Sequence, residues 1–175
     1  MPQRLSYEES CRALQGQGLM DEGEVPPIPD HSPRNDDEIL GVSFFRTMLA
    51  DVTMEHMTLP RTFFGRSEIR TTSFCGTDLS GSTANWNDFI DVDFGSSDLS
   101  GSDFRACVFE RVQFTGATLA NVDFRHCIFR DCDFASTDMD GAKFTTQSGA
   151  SLRLLSEQQR VIDWQASDGE EPDGG

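Results

Sequence analysis

Residues 72–106 read TSFCG TDLSG STANW NDFID VDFGS SDLSG SDFRA, and the third letter of every five is Phe74, Leu79, Ala84, Phe89, Phe94, Leu99 and Phe104. The step of five extends outward without a gap, back to Phe44 and on to Phe144. Of the 21 centres so defined, 20 are large and apolar, and Ala84 is the exception. The position two before each centre is restricted as well. It holds mostly small residues, such as Thr72, Thr77, Ser82, Ser97, Ser102, Cys107 and Ala117. The residue just before the centre is often Asp, as in Asp78, Asp88, Asp93, Asp98 and Asp103. A helix requires apolar spacings of three and four and a simple strand spacings of two, so period five is neither.

The segments TDLSG at 77–81, SDLSG at 97–101, SDFRA at 102–106 and VDFRH at 122–126 resemble the pentapeptide-repeat family. That resemblance covers residues 42–146 and implies an all-β fold. The implied fold is a right-handed, four-sided parallel β-helix, with four pentapeptides to a coil and the centre and small residue turned inward. Four fives require a period of 20, and the residues carry it. Leu59, Leu79, Leu99, Leu119 and Met139 form a class without a Phe; Phe74, Phe94, Phe114 and Phe134 form another. Phe64, Phe104, Phe124 and Phe144 form a third, interrupted by Ala84, and Ile69, Phe89, Phe109 and Phe129 the fourth. Coils ~4.8 Å apart make a rod of roughly 25 Å from about five coils.

The solenoid needs closed ends. Residues 1–41 are expected to supply a helix opened by the capping box Ser6-Tyr7-Glu8-Glu9, then a Pro-broken acidic connector. Residues 147–166 are expected to cap the other end, with a second capping box at Ser156–Gln159 opening a helix through about Trp164. Residues 167–175, SDGEEPDGG, read as a disordered acidic tail.

Composition narrows the function. The formal charge of −16 argues against direct binding of nucleic acid or anionic lipid. No apolar run approaches the ~20 residues of a membrane helix, and MPQRLSYEES lacks the apolar stretch of a signal peptide. The five cysteines have no zinc spacing and fit a reducing cytoplasm. Cys107 and Cys127, one coil apart, are expected as free buried thiols. The histidines fall on separate faces, and a convex rod offers no cleft that excludes water. The sequence therefore predicts no enzyme, no cofactor and no metal site.

The candidate sites lie on the faces. The Phe74/Phe94/Phe114/Phe134 and Leu faces are neighbours and carry Glu55, Asp78, Asp93, Asp98, Asp133, Asp138 and Asp140 against Arg61 alone. The other two faces balance eight acids with eight bases, and Asp91, Arg111 and Asp131 are expected to stack there. This balanced half also shows Phe63, Trp86, Ile90, Val108 and Ile128, a candidate apolar docking patch, with Val108 and Ile128 as direct neighbours. Two alternatives stand beside these readings: Asp before the centre serves only to stabilise turns, and the terminal segments cover the apolar patch. Function reduces to a non-enzymatic protein-interaction rod, a scaffold or regulator with a protein partner. The alternative comes from the resemblance: Qnr-type quinolone-resistance and related self-resistance members are acidic rods that resemble a DNA duplex and bind type II topoisomerase. On that reading the chain is a DNA mimic that protects or inhibits DNA gyrase. The oligomeric state, monomer or dimer, is left open.

Two local expectations complete the reading. Gly76, Gly116, Gly81, Gly101, Asn121 and Gly141 follow centres of the Phe74 and Leu faces, so type II turns are expected there and another turn on the other two faces. Ala84 leaves room between Phe64 and Phe104, and Trp86 or another side chain is expected to fill it.

Overall fold

The computed structural model describes residues 3–34 and 40–166 of the chain. Helix α1 (Tyr7–Gly16) is followed by strands β1 (Ser43–Phe45), β2 (Met48–Ala50), β3 (Phe63–Gly65), β4 (Glu68–Arg70) and β5 (Asp88–Ile90). Then come β6 (Val108–Glu110), β7 (Asp123–Phe124), β8 (Ile128–Arg130) and β9 (Lys143–Thr145), and finally α2 (Thr146–Gly149), α3 (Ser156–Val161) and β10 (Asp163–Gln165). Every strand pair is parallel, and the rungs repeat at 20 residues: Met48 faces Glu68, then Asp88, Val108 and Ile128 along the five-stranded sheet β2-β4-β5-β6-β8. Single bridges such as Thr53–Ser73, Asp78–Asp98 and Asp93–Gln113 continue the same register on the other faces. The result is a four-sided parallel solenoid of about six turns, one more than the period of five alone marks out.

The centres fill the interior as columns. Phe74, Phe94, Phe114 and Phe134 stack at 5.2, 5.5 and 4.8 Å between ring centroids, within 14° of parallel. Phe89, Phe109 and Phe129 stack at 5.2 Å per step. Rings of adjacent columns meet edge to face, as Phe94 does with Phe104. These are the two arrangements the ring quadrupole favours. Burying each such side chain contributes about 1.5–3 kcal/mol.

The small-residue column does more than save space. A polar side chain there donates to the carbonyl of a centre one coil back: Ser67 Oγ to Phe44, Asn87 Nδ2 to Phe64, Ser102 Oγ to Leu79. The thiols of Cys107 and Cys127 do the same to Ala84 and Phe104. The same side chains accept from the backbone N–H of the preceding coil, as Asn87 Oδ1 does from Ser67 at 2.6 Å and Ser102 Oγ from Ser82 at 3.1 Å. An interior strand corner leaves one N–H and one C=O unmatched, and a hydroxyl or amide satisfies both.

The corners match the turn expectation at the Gly and Asn sites and carry left-handed backbone further. Gly76, Gly81, Gly101, Asn121, Gly116 and Gly141 have positive φ, but so do Arg46, Asp51, His56, Arg61, Arg66, Thr71, Trp86 and the equivalent residue at every other corner of the prism. Left-handed backbone is thus imposed by the coil and not selected by glycine. The corner N–H must reach the next coil, as His56 does to Cys75 O and Arg61 to Ser80 O. Turn hydrogen bonds do separate the faces. They close after the centres of the Phe and Leu faces from Phe74 to Met139, for instance Thr77 N–H to Phe74 O and Ser82 N–H to Leu79 O, and also after Phe124. On the β2-β4-β5-β6-β8 face the three-residue strands run directly into bends.

Ala84 is fully buried, and Trp86 does not fill the space: it is 73% exposed. Phe89 keeps its place in its own column, 5.2 Å from Phe109, and borders the gap, 6.5 Å from Phe64 and 5.6 Å from Phe104. Asn87, larger than the usual Ser or Thr, donates to the Ala84 carbonyl at 2.7 Å.

The Ser6/Glu9 capping box opens α1 with both reciprocal hydrogen bonds present. The helix is tied to the first full coil by Thr58 N–H to Ser10 Oγ and Leu5 N–H to His56 O, both 2.8 Å, and buries Cys11 and Leu14 in the common core. The connector is held by Arg61 to the Pro29 carbonyl and Thr83 to the Pro33 carbonyl. At the other end the expected helix through Trp164 is shorter. Ser156 is the first helical residue, not the cap, and Gln158 Oε1 accepts from Leu155 N–H at 2.9 Å. The helix ends at Val161 because the chain rejoins the prism: β10 pairs with β9, placing Trp164 on Phe144. Helix α2, unexpected from sequence, replaces the strand that would follow β9. The tail at 167–175 lies outside the described residues.

Candidate interaction surfaces

The acidic half is built by the Asp that precedes each centre. Asp78 and Asp98 are bridge partners on successive rungs, and Thr118 then separates Asp98 from Asp138. Around the corner, Gln113 separates Asp93 from Asp133 in the same way. Each of the five accepts a hydrogen bond through Oδ1 from the N–H two residues on: Ser80, Gly95, Ser100, Ala135 and Asp140. The turn-stabilising contact is therefore real. It engages one oxygen of each carboxylate. Asp133 and Asp138 are exposed, whereas Asp78, Asp93 and Asp98 are half-buried. Glu55 accepts from Ser73 Oγ at 2.7 Å, and Asp140 is exposed beside Asp138. Among the described residues no Arg or Lys pairs with any of these seven carboxylates.

One cation does reach this half without a signal in the sequence. Arg4 Nε donates to the Gly76 carbonyl at 3.0 Å, next to Leu5 on the His56 carbonyl. Arg4 belongs to no repeat, so no period could have placed it.

The balanced half is neutralised in place. Arg105 and Arg125 make paired hydrogen bonds to Asp103 and Asp123, and Arg105 lies 3.8 Å from Asp123 as well. Arg111 grips Asp91 with two bonds of 2.6 and 3.0 Å and turns to Glu110 of its own coil. The expected Asp91–Arg111–Asp131 ladder is thus formed by its lower pair, with Glu110 as the second acid. Burial pushes the Asp123 carboxyl up, but the hydrogen bonds from Arg125 outweigh it and hold the group below its ordinary value. The hydrogen bond from Arg111 lowers Asp91 likewise.

The apolar patch divides. Phe63 is buried, 6.3 Å from Phe45 and packed over Gly65, where a Cβ would lie 2.5 Å from its ring. It does not present itself to a partner. Trp86 and Ile128 are exposed, Ile90 and Val108 half-buried, and Val108 and Ile128 are rung partners as expected. Cys107 and Cys127 are free and buried, and burial pushes the Cys127 thiol up to about 12. Among the described residues no group of three or more His, Cys, Asp or Glu could hold a metal ion. No described helix is long and apolar enough to cross a membrane.

Residues 67–144 match the family model for the pentapeptide repeat region. This part of the chain is a pentapeptide repeat region. A solved pentapeptide repeat protein, Rfr23 from the cyanobacterium Cyanothece 51142, aligns over 55% of this chain and 83% of its own with 7% identity and a TM-score of 0.47. One from the Arabidopsis thaliana thylakoid lumen aligns over 70% and 81% with 24% identity and a TM-score of 0.43. QnrB1, a plasmid-mediated fluoroquinolone resistance protein, aligns over 59% and 53% with 18% identity and a TM-score of 0.28. No curated protein matches the chain. The prism thus sorts its charge into an acidic half and a half that pairs its acids with its own arginines.

Proposed function

We propose that this protein is a non-catalytic protein-interaction rod whose acidic half receives a basic surface of a partner protein. The observation that supports it is the pair of carboxylate rows, Asp78–Asp98–Asp138 and Asp93–Asp133, lacking a basic partner among the described residues. Asp78 and Asp98 stand on adjacent rungs, ~4.8 Å apart, where two such charges repel by about 1 kcal/mol at the dielectric of water; the other pairs are two rungs apart and repel about half as much. The other half of the same prism relieves that repulsion with its own arginines, and this half does not. A cationic partner would do so.

The DNA-mimic reading is a narrower version, with DNA gyrase as the partner. Charge density favours the broader one. A duplex carries a charge per ~1.7 Å, hence about 15 over a ~25 Å rod, and the acidic half offers seven carboxylates. Gyrase supercoiling measured with and without the protein tests the narrow reading. The broad reading is tested by replacing Asp78, Asp98 and Asp138 together with Asn and measuring capture of partners at low and moderate salt. Binding should weaken several-fold in the variant and fall with salt, since exposed charges are screened over ~8–10 Å. Binding unaffected by both would overturn it.

A further inference from the structure

The five-stranded face ends at a bare rung. Along β2-β4-β5-β6-β8 each strand donates its corner N–H to the next coil, as Asp91 does to Glu110 O at 2.9 Å and Arg111 to Arg130 O at 2.8 Å. On β8 the corresponding N–H of Asp131, and the N–H and C=O of Phe129, have no partner among the described residues. The chain does not continue the rung. The residue in phase above Phe129 is Gly149, which has no side chain to stack and lies in α2. Among the described residues one group of this edge is covered: Ser148 Oγ donates to the Cys127 carbonyl at 2.6 Å. The other faces are closed differently. β10 pairs over β9, Gln158 donates to the Phe134 carbonyl at 2.8 Å, and Gly141 N–H reaches Val161 O. A shallow groove remains over β8, floored by Phe129 and edged by Ile128, Thr145 and Ser148.

We propose that this C-terminal edge of β8 docks an extended segment of a partner protein, which adds a sixth parallel strand with the pattern apolar, large apolar, acidic. Each part of the pattern comes from the rung below. Unpaired N–H and C=O groups in strand geometry call for an extended backbone and not a helix. Phe129 is itself buried and still lines the groove, so a large apolar residue placed there continues the column. Ile128 is 48% exposed, and its partner on the other side is Val108. Arg130 faces Glu110 in the register, 3.9 Å away, and its side chain stays more than half exposed for an acid on its other side. Strand β6, Val108-Phe109-Glu110, is thus the chain's own copy of the ligand. At the opposite edge, residues 18–24 and strands β1 and β2 enclose a larger cavity, about 810 Å³ against about 420 Å³ over β8, so that edge is the competing site in the test. This site lies on the balanced half and is independent of the acidic rows.

The probe is a capped peptide of residues 105–112 with Cys107→Ser, added to the full chain. Backbone amide exchange should be fast at Phe129 and Asp131 in the protein alone and slow when the peptide is present. Arg130→Glu should weaken binding several-fold, and a peptide with Glu110→Arg should restore it. N-methylation of the peptide at the Glu110 amide, which points at the Phe129 carbonyl, should abolish binding, whereas N-methylation at Phe109, which points away, should not. The proposal fails if Phe129 and Asp131 are already protected without peptide. It fails too if the peptide does not bind saturably, or if protection arises at Ser43 and Met48 of the opposite edge.

Discussion

Gly149 sits under the ring of Trp164, and any side chain there collides with it. An ideal Cβ at Gly149 would lie 2.1 and 2.4 Å from two ring carbons of Trp164. Ordinary contact begins near 3.4 Å, so Gly149→Ala must move the indole by more than 1 Å. That shift is opposed by the Trp164 Nε1 hydrogen bond to Gln159 O at 3.0 Å and by packing on Phe144 at 5.9 Å. Losing the bond costs about 1 kcal/mol, and exposing the half-buried indole about another 1.5–2 kcal/mol. Against this, Ala is better than Gly in a helix by roughly 0.5–1 kcal/mol. The net expectation is a loss of about 2 kcal/mol, confined to the β10 rung. The assay is tryptophan emission in a Trp86→Phe background, which leaves Trp164 as the sole tryptophan. Gly149→Ala should shift the emission to the red and expose it to a soluble quencher, with a lower Tm. Unchanged emission together with an unchanged or raised Tm would refute the packing argument.

Asn87→Ala should be among the more damaging single changes, by about 2–4 kcal/mol, because it leaves the Ser67 N–H and the Phe64 carbonyl unpaired in the core; Asn87→Ser should recover part of the lost Tm, and equal loss in both would show that volume and not hydrogen bonding matters. Ala84→Phe should lower Tm, through about 1–3 kcal/mol of overpacking, since Ala84 is fully buried and Phe89 borders its site between Phe64 and Phe104; a gain in Tm would show an empty space. Asp123 has a carboxyl held below its ordinary value in the fold. Its contribution is thus complete above the unfolded pKa of about 3.9 and is lost as pH falls through the lower folded value. Asp123→Asn should therefore cost stability at pH 7 and flatten the acid limb of the denaturation curve, and an unchanged limb would remove Asp123 from the account.

The repeat was legible because each coil contacts only its neighbours, so the same interior is demanded every 20 residues and written into the sequence at that period. The columns, the order of the faces, the acidic row through Asp78, Asp98 and Asp138, and the pairing of Val108 with Ile128 follow from counting alone. The polar identities of Asn87, Ser67 and Ser102 were also visible, but their bonding to two coils at once needs the coordinates, because partners 20 and 23 residues away are set by how coils stack. That left-handed corners extend beyond the glycines has a related reason. Glycine reports where left-handed backbone is easy, while inter-coil hydrogen bonds decide where it is required, and they require it under Thr71 and Trp86 as well. What breaks the period could be found only in the tertiary structure. Phe63 keeps the phase of an outward residue yet is buried over Gly65, and Trp86 stays outside the gap at Ala84. Arg4 reaches Gly76 across 72 residues of sequence. Trp164 is in phase with Phe144, but the chain reaches that rung only after α2 and α3 leave the rung over Phe129 empty. A periodic sequence specifies the middle of a solenoid, where every neighbour is another copy; at its ends the neighbours are unique, and their contacts are decided by packing in three dimensions.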